Sequence, residues 1–363
     1  MVTSASGFVG GHVAQLLLER GEAVRCLVRE GSSPAAVAAL VAGGAEIAVG
    51  DLRDPGSLGR AVAGCRTVYH CAADYRFSVR DPAEIYASNV DGTKNTLAAA
   101  RAAGVERVVY TSSVGALGLR RDGAPADEDT PVTLADMVGP YKRSKYLAER
   151  AAEEAAAAGL PVVIVNPSTP VGEADAKPTP TGQMIVDFLN RRMPAYVDTG
   201  LNLIDVRDVA RGHLLAAERG VPGRRYILGC RNLTLAEILA VLAAITGLPA
   251  PRLRLPHWVP LAAAAVDEGA SRLLGRRPRL SLEAVRLARH RMFFDPGRAV
   301  AELGLPQSPV EDALARAVAW YREHGYALKG IGGSTAATAA TATTGTARGS
   351  GTRPLEAAAR EAP

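Results

Sequence analysis

The sequence predicts an α/β fold in which helices cover both faces of a parallel, doubly wound sheet, followed by a smaller and mainly helical part. Short runs of β-branched and apolar residues recur along the first half of the chain, with helix-forming stretches between them. The runs are continuously apolar and do not alternate with polar residues, which is typical of strands buried on both faces. With 363 residues, 48% of them hydrophobic, the chain is long enough to bury a large core.

The predicted elements follow one another in this alternating order. Strands are expected at residues 23–28, 45–50, 67–73, 107–113 and 161–167. Helices are expected over Glu84–Ala103 and Tyr141–Ala158, and the second helix ends in a Gly-Leu-Pro stop. After residue 167 a Pro-rich loop precedes a short strand with an amphipathic helix at 201–220, then a strand at 224–229 and a mostly helical remainder. We interpret "WVPLAAAAV", residues 258–266, as a packed helix start, with a membrane anchor as the alternative.

Charge and cysteine usage limit the class of protein. The net charge is +5, and the stretch from Arg252 to Arg298 holds ten Arg against four acidic residues. We favour a solvated helix face there over a patch for a phosphorylated substrate or an anionic membrane. No aromatic residues are interleaved, so no nucleic-acid partner is expected. The four cysteines form no Cys-x-x-Cys pair, which predicts free thiols in a reducing cytosol.

Other classes are not indicated. The six histidines lack the spacing of metal ligands, so no metal is predicted, and we interpret His70 as a packed strand residue. No apolar run reaches the ~20 residues that span a bilayer, and no secretory signal is evident. We therefore expect a cytoplasmic protein, and a lipid-linked substrate would allow peripheral contact with a membrane.

A glycine-rich turn, "SASGFVGG", follows Val2 and Thr3 and precedes a plausible helix. Glycines in such a turn let backbone N–H groups approach a pyrophosphate and let the helix pack closely on the strand. The residues predicted to contact a dinucleotide here are Ser4, Gly7, Phe8, Val9 and Gly10. A serine stands where the first glycine of such turns is expected, and it could itself donate to a phosphate. Because the first strand is only "MVT", we expect that the natural start lies upstream.

The next strand ends in "CLVREGSS", which bears on the choice of dinucleotide. Val28 stands where an NAD enzyme carries an acidic residue for the ribose hydroxyls, and it cannot accept those hydrogen bonds. Arg29, followed by two serines, suits a 2′-phosphate instead. This predicts NADP, with NAD as the alternative and a plain surface arginine as the simpler interpretation.

The stretch "GPYKRSKYLAER" carries the strongest chemical signal. Tyr141 and Lys145 lie four residues apart and therefore share one face of a helix. An ammonium group near a phenol is expected to lower the pKa of the phenol toward neutral pH. Ser113, at the end of the strand in "VVYTSSVG", is placed to hydrogen-bond the same substrate oxygen.

Taken together, "SASGFVGG", "GDLRD", "HCAA", "NVDGT", "YTSS", "YKRSK" and "NPSTPVG" resemble the extended short-chain dehydrogenase/reductases over about residues 1–325. The chain is most similar to the hopanoid-associated sugar epimerases and to dihydroflavonol 4-reductase-like proteins. The resemblance implies a Rossmann fold and a catalytic triad of Ser113, Tyr141 and Lys145. It also implies that Asp51 and Leu52 flank the adenine and that Ala72 and Ala73 line the cofactor. Asn89 would support the active-site helix beside the cofactor, and Pro167 and Ser168 would approach the nicotinamide.

The predicted domains follow from this resemblance and from the pattern of elements. Residues 1–167, with 199–231 returning to them, form an NAD(P)-binding domain, and residues 168–198 and 232–326 form a substrate domain. Residues 327–363 are predicted to be a disordered, low-complexity tail, because they contain almost no large apolar side chains.

Three functions are consistent with these motifs. The first expectation, which the resemblance favours, is an NAD(P)-dependent epimerase of a sugar or sugar nucleotide linked to hopanoid lipid synthesis. The alternative, which Arg29 favours, is an NADPH-dependent ketone reductase of the dihydroflavonol 4-reductase type. A non-catalytic dinucleotide sensor is the third, and the intact triad argues against it. The expected partner is a small molecule, a sugar or lipid-linked sugar, and the family implies a homodimer. Asp74, Tyr75 and Arg76 follow a strand end and are candidates for substrate contact, with a simple loop role as the alternative.

Overall fold

A computed structural model describes residues 1–74, 81–273, 285–286 and 288–327 of the protein. Three predictions therefore concern residues outside this range: the substrate contacts of Tyr75 and Arg76, nearly all of the predicted tail, and part of the arginine-rich stretch between residues 252 and 298.

The strands of the described residues form one large sheet and two small ones. Their bounds are β1 (Val2–Thr3), β2 (Arg25–Val28), β3 (Glu46–Val49), β4 (Thr67–His70), β5 (Arg107–Thr111), β6 (Val162–Pro167), β7 (Thr169–Val171), β8 (Ala195–Val197), β9 (Gly200–Asp205), β10 (Arg225–Leu228), β11 (Arg231–Thr234), β12 (Leu253–Leu255) and β13 (Arg291–Met292). Seven parallel strands form the large sheet in the order β10-β6-β5-β4-β1-β2-β3. Strands β7, β11 and β13 all pair with β9, and β12 pairs with β8.

Helices connect the strands. Their bounds are α1 (Phe8–Glu19), α2 (Pro34–Ala42), α3 (Pro55–Val62), α4 (Pro82–Tyr86), α5 (Gly92–Ala102), α6 (Gly139–Ala157), α7 (Pro180–Leu189), α8 (Val206–Arg219), α9 (Leu235–Thr246), α10 (Trp258–Leu273) and α11 (Val310–Glu323). A π-helical turn, Ala87–Asp91, joins α4 to α5. A second π turn lies at Ala299–Leu303, and 3₁₀ turns lie at Val114–Ala116 and Leu134–Asp136.

Three helices of the first half begin with the same local signal. Ser33, Asp54 and Asp81 each precede a proline, and each side chain accepts a hydrogen bond from a backbone N–H in the first turn. The proline has no N–H to leave unpaired and is already restricted to a helical φ, so the cap and the proline together define where each helix starts.

The large sheet is buried on both faces, as the continuous apolar runs predict. Along β5, Val108 and Val109 are both 0% exposed but belong to different hydrophobic clusters. Along β6, Val163 and Ile164 divide between the same two clusters. Because neighbouring side chains of a strand point to opposite faces, each face of the sheet has its own core.

The α/β fold class with a parallel, doubly wound sheet is confirmed. All five strands predicted before residue 167 lie in the large sheet, and the strand predicted at 224–229 joins it at the β10 edge. Two local predictions need revision. The helix expected over Glu84–Ala103 is divided by the π turn, and the later, mainly helical part also contributes strands to two small sheets.

The stretch at 258–266 is also corrected. It does begin helix α10, but the helix is not packed all around. The side chains of Trp258 and Val266 are 69% and 73% exposed. Of the four consecutive alanines at 262–265, Ala264 is the one that is buried.

Candidate active site

The glycine-rich turn between β1 and α1 brings backbone atoms unusually close together. The N–H of Gly7 donates to the carbonyl oxygen of Ser4 at 2.8 Å. A Cβ added at Gly10 would lie 2.4 Å from the Ser4 carbonyl oxygen and 2.9 Å from that of Thr3, and a Cβ at Gly7 would lie 2.8 Å from Ser4 Oγ. Side chains are therefore excluded where the turn meets the start of α1, and a phosphate can approach the N–H groups there.

Ser4 itself has φ +55°, in the left-handed region that favours glycine. The serine thus keeps the backbone conformation of the glycine that is expected at this position. Phe8 and Val9 follow in the first turn of α1, both partly buried. The structure therefore brings all five residues predicted for this turn into one cradle.

The residues predicted to surround the adenosine lie at the ends of β2 and β3. The Asp51 carboxylate accepts a bidentate pair from the Arg53 guanidinium, Nε to Oδ1 at 2.9 Å and Nη2 to Oδ2 at 2.8 Å. This bond lowers the pKa of Asp51 to about 2, and the nearby charge of Arg29 contributes. Leu52 is buried, and its carbonyl oxygen accepts from Asn95 Nδ2. Arg53 is a second cation here that the sequence motif did not single out.

The end of β4 is joined to helix α6 through the π turn. The N–H of Ala72 donates to Thr3 Oγ1, and Ala73 follows it toward Asp74. Asn89 Oδ1 accepts from the N–H of Asp74 at 2.7 Å, and Asn89 Nδ2 donates to Ser144 Oγ at 2.9 Å. Through these two hydrogen bonds, Asn89 links the segment after β4 to α6, the predicted active-site helix.

Ser113 and Tyr141 converge beyond the end of β5. The Ser113 hydroxyl accepts the N–H of Gly115 at 3.0 Å, and it lies close enough to the Tyr141 phenol to oppose the rise in the pKa of that phenol. A Cβ added at Gly115 would lie 3.2 Å from Ser113 Oγ and 3.8 Å from Tyr141 Cε1, so the two side chains meet at this glycine. Both side chains lie beside the carboxyl ends of the strands of the large sheet, where ligands bind in doubly wound folds.

Lys145 lies one helical turn further along α6 and is buried. Its Nζ donates to the Thr111 carbonyl oxygen at 2.7 Å and stands 5.1 Å from the centre of the Tyr110 ring. Burial lowers the pKa of Lys145 to about 8, and the charge of Glu149 opposes this shift. The ammonium form thus still predominates at neutral pH.

The predicted lowering of the Tyr141 pKa by Lys145 is not observed. Burial raises the pKa of Tyr141, and the neighbouring Ser113 hydroxyl opposes this rise. The reason is that the Lys145 ammonium is directed to the Thr111 carbonyl. As placed, Tyr141 is a protonated phenol at neutral pH, which makes it a proton donor to an oxygen at this position.

Two further residues that the sequence analysis missed hold the Ser113 segment in place. Asn166 Nδ2 donates to the Ser113 carbonyl oxygen at 3.2 Å and to Glu149 Oε2 at 2.7 Å. Glu149 is 0% exposed and also lies 3.3 Å from Arg150 and 3.4 Å from Arg225. A signal was present in each case, since Asn166 is a polar residue in an apolar strand and Glu149 follows Lys145 by four positions.

Pro167 and Ser168 complete this edge at the end of β6. The Ser168 N–H donates to the Leu228 carbonyl oxygen at 2.9 Å. Its Oγ is buried and has no hydrogen-bond partner among the described residues. An unpaired buried hydroxyl costs free energy, so this atom and the open glycine cradle fit a polar group bound along this edge, as a nicotinamide dinucleotide would be.

His70, at the end of β4, packs inside the sheet as predicted. His70 is fully buried, with Nδ1 and Nε2 each 3.1 Å from a threonine hydroxyl, and burial lowers its pKa to about 3. Among the residues that the structure describes, no group of three His, Cys, Asp or Glu is arranged to hold a metal ion. All four cysteines lie in the described ranges and are free thiols. Within those ranges, no helix has the length and apolar character to cross a bilayer.

Comparison with known proteins agrees with this geometry. The sequence profile of the NAD dependent epimerase/dehydratase family matches residues 1–229. A protein of Synechocystis sp. named as a dihydroflavonol 4-reductase is 50% identical over 329 residues, 90% of this chain and 95% of that protein. Sterol demethylase protein B of Methylococcus capsulatus is 37% identical over 90% of this chain and 98% of that protein.

A similar solved structure is that of a nucleoside-diphosphate-sugar epimerase from Pseudomonas aeruginosa. It superimposes with a TM-score of 0.75 at 30% identity and covers 90% of this chain and 98% of that one.

Proposed function

This chain belongs to the NAD-dependent epimerase/dehydratase family of oxidoreductases, and we propose that it reduces a ketone to a secondary alcohol with NADPH. The observation that carries the proposal is that the Ser113 hydroxyl and the Tyr141 side chain meet at Gly115, at the carboxyl-end edge of the sheet. This arrangement presents a protonated phenol and a second hydroxyl to the same small volume. A carbonyl oxygen bound there can accept a hydrogen bond and a proton from neighbouring groups.

Each residue has one task in this proposal. Ser113 orients the carbonyl oxygen of the substrate, and its own position is maintained by Asn166 through the Ser113 carbonyl group. Tyr141 donates its phenolic proton to the oxygen as the alcohol forms. Lys145, one helical turn further along α6, would hold the nicotinamide ribose of the bound cofactor through its ammonium group. When bound, the nicotinamide ring supplies the hydride that the reacting carbon receives.

The cofactor would be held by residues from four strand ends. The glycine cradle at Ser4, Gly7 and Gly10 suits the pyrophosphate, and Ser4 Oγ is a further donor beside it. Arg29 and Arg53 place two guanidinium groups near Asp51. Arg53 forms the bidentate pair with Asp51, whereas Arg29 takes no part in that pair and suits a 2′-phosphate. On the nicotinamide side, Ser168 Oγ has no hydrogen-bond partner among the described residues and can donate a hydrogen bond to the cofactor.

The relatives support a reductase of a lipid-like or polycyclic ketone. The names of the proteins at 50% and 37% identity refer to a dihydroflavonol and to a sterol, and both cover 90% of this chain. We therefore take sterol and triterpenoid ketones as the first substrates to test. Asp74, fixed by Asn89 next to α6, remains our candidate for a substrate contact.

A sugar epimerase is the second candidate, and one observation favours it. The nucleoside-diphosphate-sugar epimerase structure shares the fold over 90% of this chain at 30% identity. The resemblance to hopanoid-associated sugar epimerases would then place the substrate among lipid-linked sugars. Both candidates use the same Ser113 and Tyr141 geometry, so cofactor handling must separate them.

The first experiment denatures the purified protein and identifies any dinucleotide that is released. An empty protein that binds NADPH from solution supports the reductase, because a reductase must exchange its cofactor in each cycle. Stoichiometric bound NAD or NADP supports the epimerase, which reuses its cofactor in place. A protein that neither contains nor takes up a dinucleotide contradicts both.

The second experiment compares Tyr141→Phe with Tyr146→Phe, a tyrosine on the same helix outside the Ser113 pair. Turnover of Tyr141→Phe should fall by about 10²- to 10⁴-fold with NADPH affinity unchanged, because only the proton donor is removed. The Tyr146 variant should keep its turnover. If the intact protein binds NADPH but neither it nor the variants turn over any ketone or sugar, the dinucleotide-sensor interpretation replaces the enzyme.

A further inference from the structure

The outer face of helix α10 is apolar where a helix of a water-soluble protein is normally polar. The residues at positions 258, 262, 265, 266 and 269 share one side of the helix at the i, i+4, i+7, i+8 and i+11 spacing. All five are exposed and uncharged: Trp258, Ala262, Ala265, Val266 and Gly269. The buried residues Ala264 and Ser271 lie on the opposite side.

The acidic residues of α10 do not interrupt this face. On a helix of 3.6 residues per turn, Asp267 and Glu268 project about 100° or more from the centre of the exposed stripe. Both are only partly exposed, and both have interaction partners. The apolar stripe therefore runs along the helix without a charge at its centre.

A cationic edge adjoins the start of the helix. The strand β12, which precedes α10, exposes Leu253 to 59% and is flanked by the exposed residue Arg252. Arg254 and Arg291 both bind the Asp198 carboxylate, at 2.8 and 3.0 Å. The charge of Arg291 also acts on Glu237, so three arginines stand against two carboxylates and this edge keeps a net positive charge.

We propose that this surface, made of the apolar stripe of α10 with Leu253, Arg252 and Arg254, docks on an anionic lipid bilayer. Tryptophan is favoured at the boundary between headgroups and acyl chains, because its ring is apolar and its N–H remains able to hydrogen-bond. A helix that lies in this boundary inserts one apolar face, and adjacent cations contact anionic headgroups. The combination of exposed Trp258, exposed Val266 and arginines at one end of the helix matches this mode of binding.

The chemistry of the surface favours a bilayer over a second copy of this chain. A twofold interface that used the whole surface would have to bury the arginines of this edge against the partner copy, whereas an anionic membrane neutralises their charge. The inference does not depend on the proposed reaction, since it rests on residues outside the Ser113–Tyr141 site.

The test uses the full-length protein and vesicle flotation. Vesicles of phosphatidylcholine with about 30% phosphatidylglycerol are compared with pure phosphatidylcholine vesicles. We expect the protein to float with the anionic vesicles and to bind pure phosphatidylcholine at least about tenfold more weakly, because the arginines contribute to binding only where anionic lipid is present. Raising the salt to about 0.5 M should weaken the anionic binding, because the Debye length falls below about 5 Å.

The decisive variant is the pair Trp258→Ser with Val266→Ser, with Val49→Ser and Val221→Ser as the matched control. The control valines are 64% and 46% exposed but lie elsewhere on the molecule. The α10 pair should lose at least about tenfold in vesicle partition while NADPH binding and the thermal midpoint stay unchanged, since exposed apolar side chains contribute little to folding. Arg252→Ser should weaken binding to the anionic vesicles only.

Two outcomes would overturn the proposal. One is a protein that remains with the soluble fraction at both lipid compositions. The other is light scattering that shows a dimer which the Trp258 and Val266 pair dissociates, without vesicle binding by the intact chain. That second result would assign the α10 face to self-association.

Discussion

A methyl group at Gly10 should damage both the folded state and the dinucleotide site. The added Cβ would meet three backbone atoms within 3 Å, namely the Ser4 carbonyl oxygen at 2.4 Å, the Ser4 carbonyl carbon at 2.8 Å and the Thr3 carbonyl oxygen at 2.9 Å. Backbone atoms cannot rotate away as a flexible side chain can. The turn or the helix start must therefore move.

The size of the effect follows from two opposing contributions. Overpacking a tight site costs about 1–3 kcal/mol, and three backbone contacts place Gly10→Ala near the upper end of that range. Replacing glycine by alanine inside a helix returns about 1 kcal/mol. We expect a net loss of about 2 kcal/mol in the free energy of unfolding.

The matched control is Gly59→Ala in helix α3, where no atom lies within 4 Å of an added Cβ. This variant should gain about 0.5–1 kcal/mol from helix propensity alone. Both variants are compared by denaturant unfolding and by titration with NADPH. Gly10→Ala should bind at least about tenfold more weakly, because a displacement of Ser4 moves the N–H groups of the cradle.

The reasoning would be refuted by a Gly10→Ala protein that matches Gly59→Ala in stability and the intact protein in NADPH affinity. Such a result would mean that the β1–α1 turn is not held at the close approach that the structure shows. A loss of stability with unchanged affinity would contradict only the assignment of the cradle to the dinucleotide.

Two further predictions concern strain and charge near the same site. Ser4→Gly should stabilise the protein by about 0.5–1 kcal/mol, because glycine adopts φ +55° without strain. The control Ser33→Gly, at φ −52°, should not stabilise it. Equal changes in the free energy of unfolding, measured in denaturant, would contradict this prediction. In Glu149→Gln, the alkaline limit of turnover should move to lower pH by about one unit. The Lys145 ammonium must stay protonated, and the charge of Glu149 raises the pKa of Lys145, which is about 8 in the intact protein. Glu153→Gln on the same helix is the control for the pH profile, and an alkaline limit that stays in place in Glu149→Gln would show that the carboxylate acts on structure alone.

The parts of the structure that sequence predicted are those that depend on local pattern. Continuous apolar runs identified the strands because both faces of this sheet are covered, as Val108 and Val109 show. The spacing of Tyr141 and Lys145 predicted a shared helix face. It could not predict that the Lys145 ammonium bonds the Thr111 carbonyl, because that contact joins residues 34 positions apart.

The errors have the same physical origin. Asn166 and Glu149 meet only when β6 packs against α6, so their pairing is a tertiary fact. The stretch 258–266 is apolar in composition, and composition cannot say whether an apolar face meets protein or solvent. Its exposure became visible only through the fold.

The π turn Ala87–Asp91 changes how the segment around it should be compared between relatives. A π turn holds one residue more than the α-helix that would replace it, so α4 and α5 are out of phase by about 100°. An alignment that treats residues 82–102 as one uninterrupted helix would assign inward positions to outward residues on one side of Asn89. Removing a single residue from this turn would rotate α4 against α5 by about 100° and would turn the buried side chain of Ile85 away from its present site.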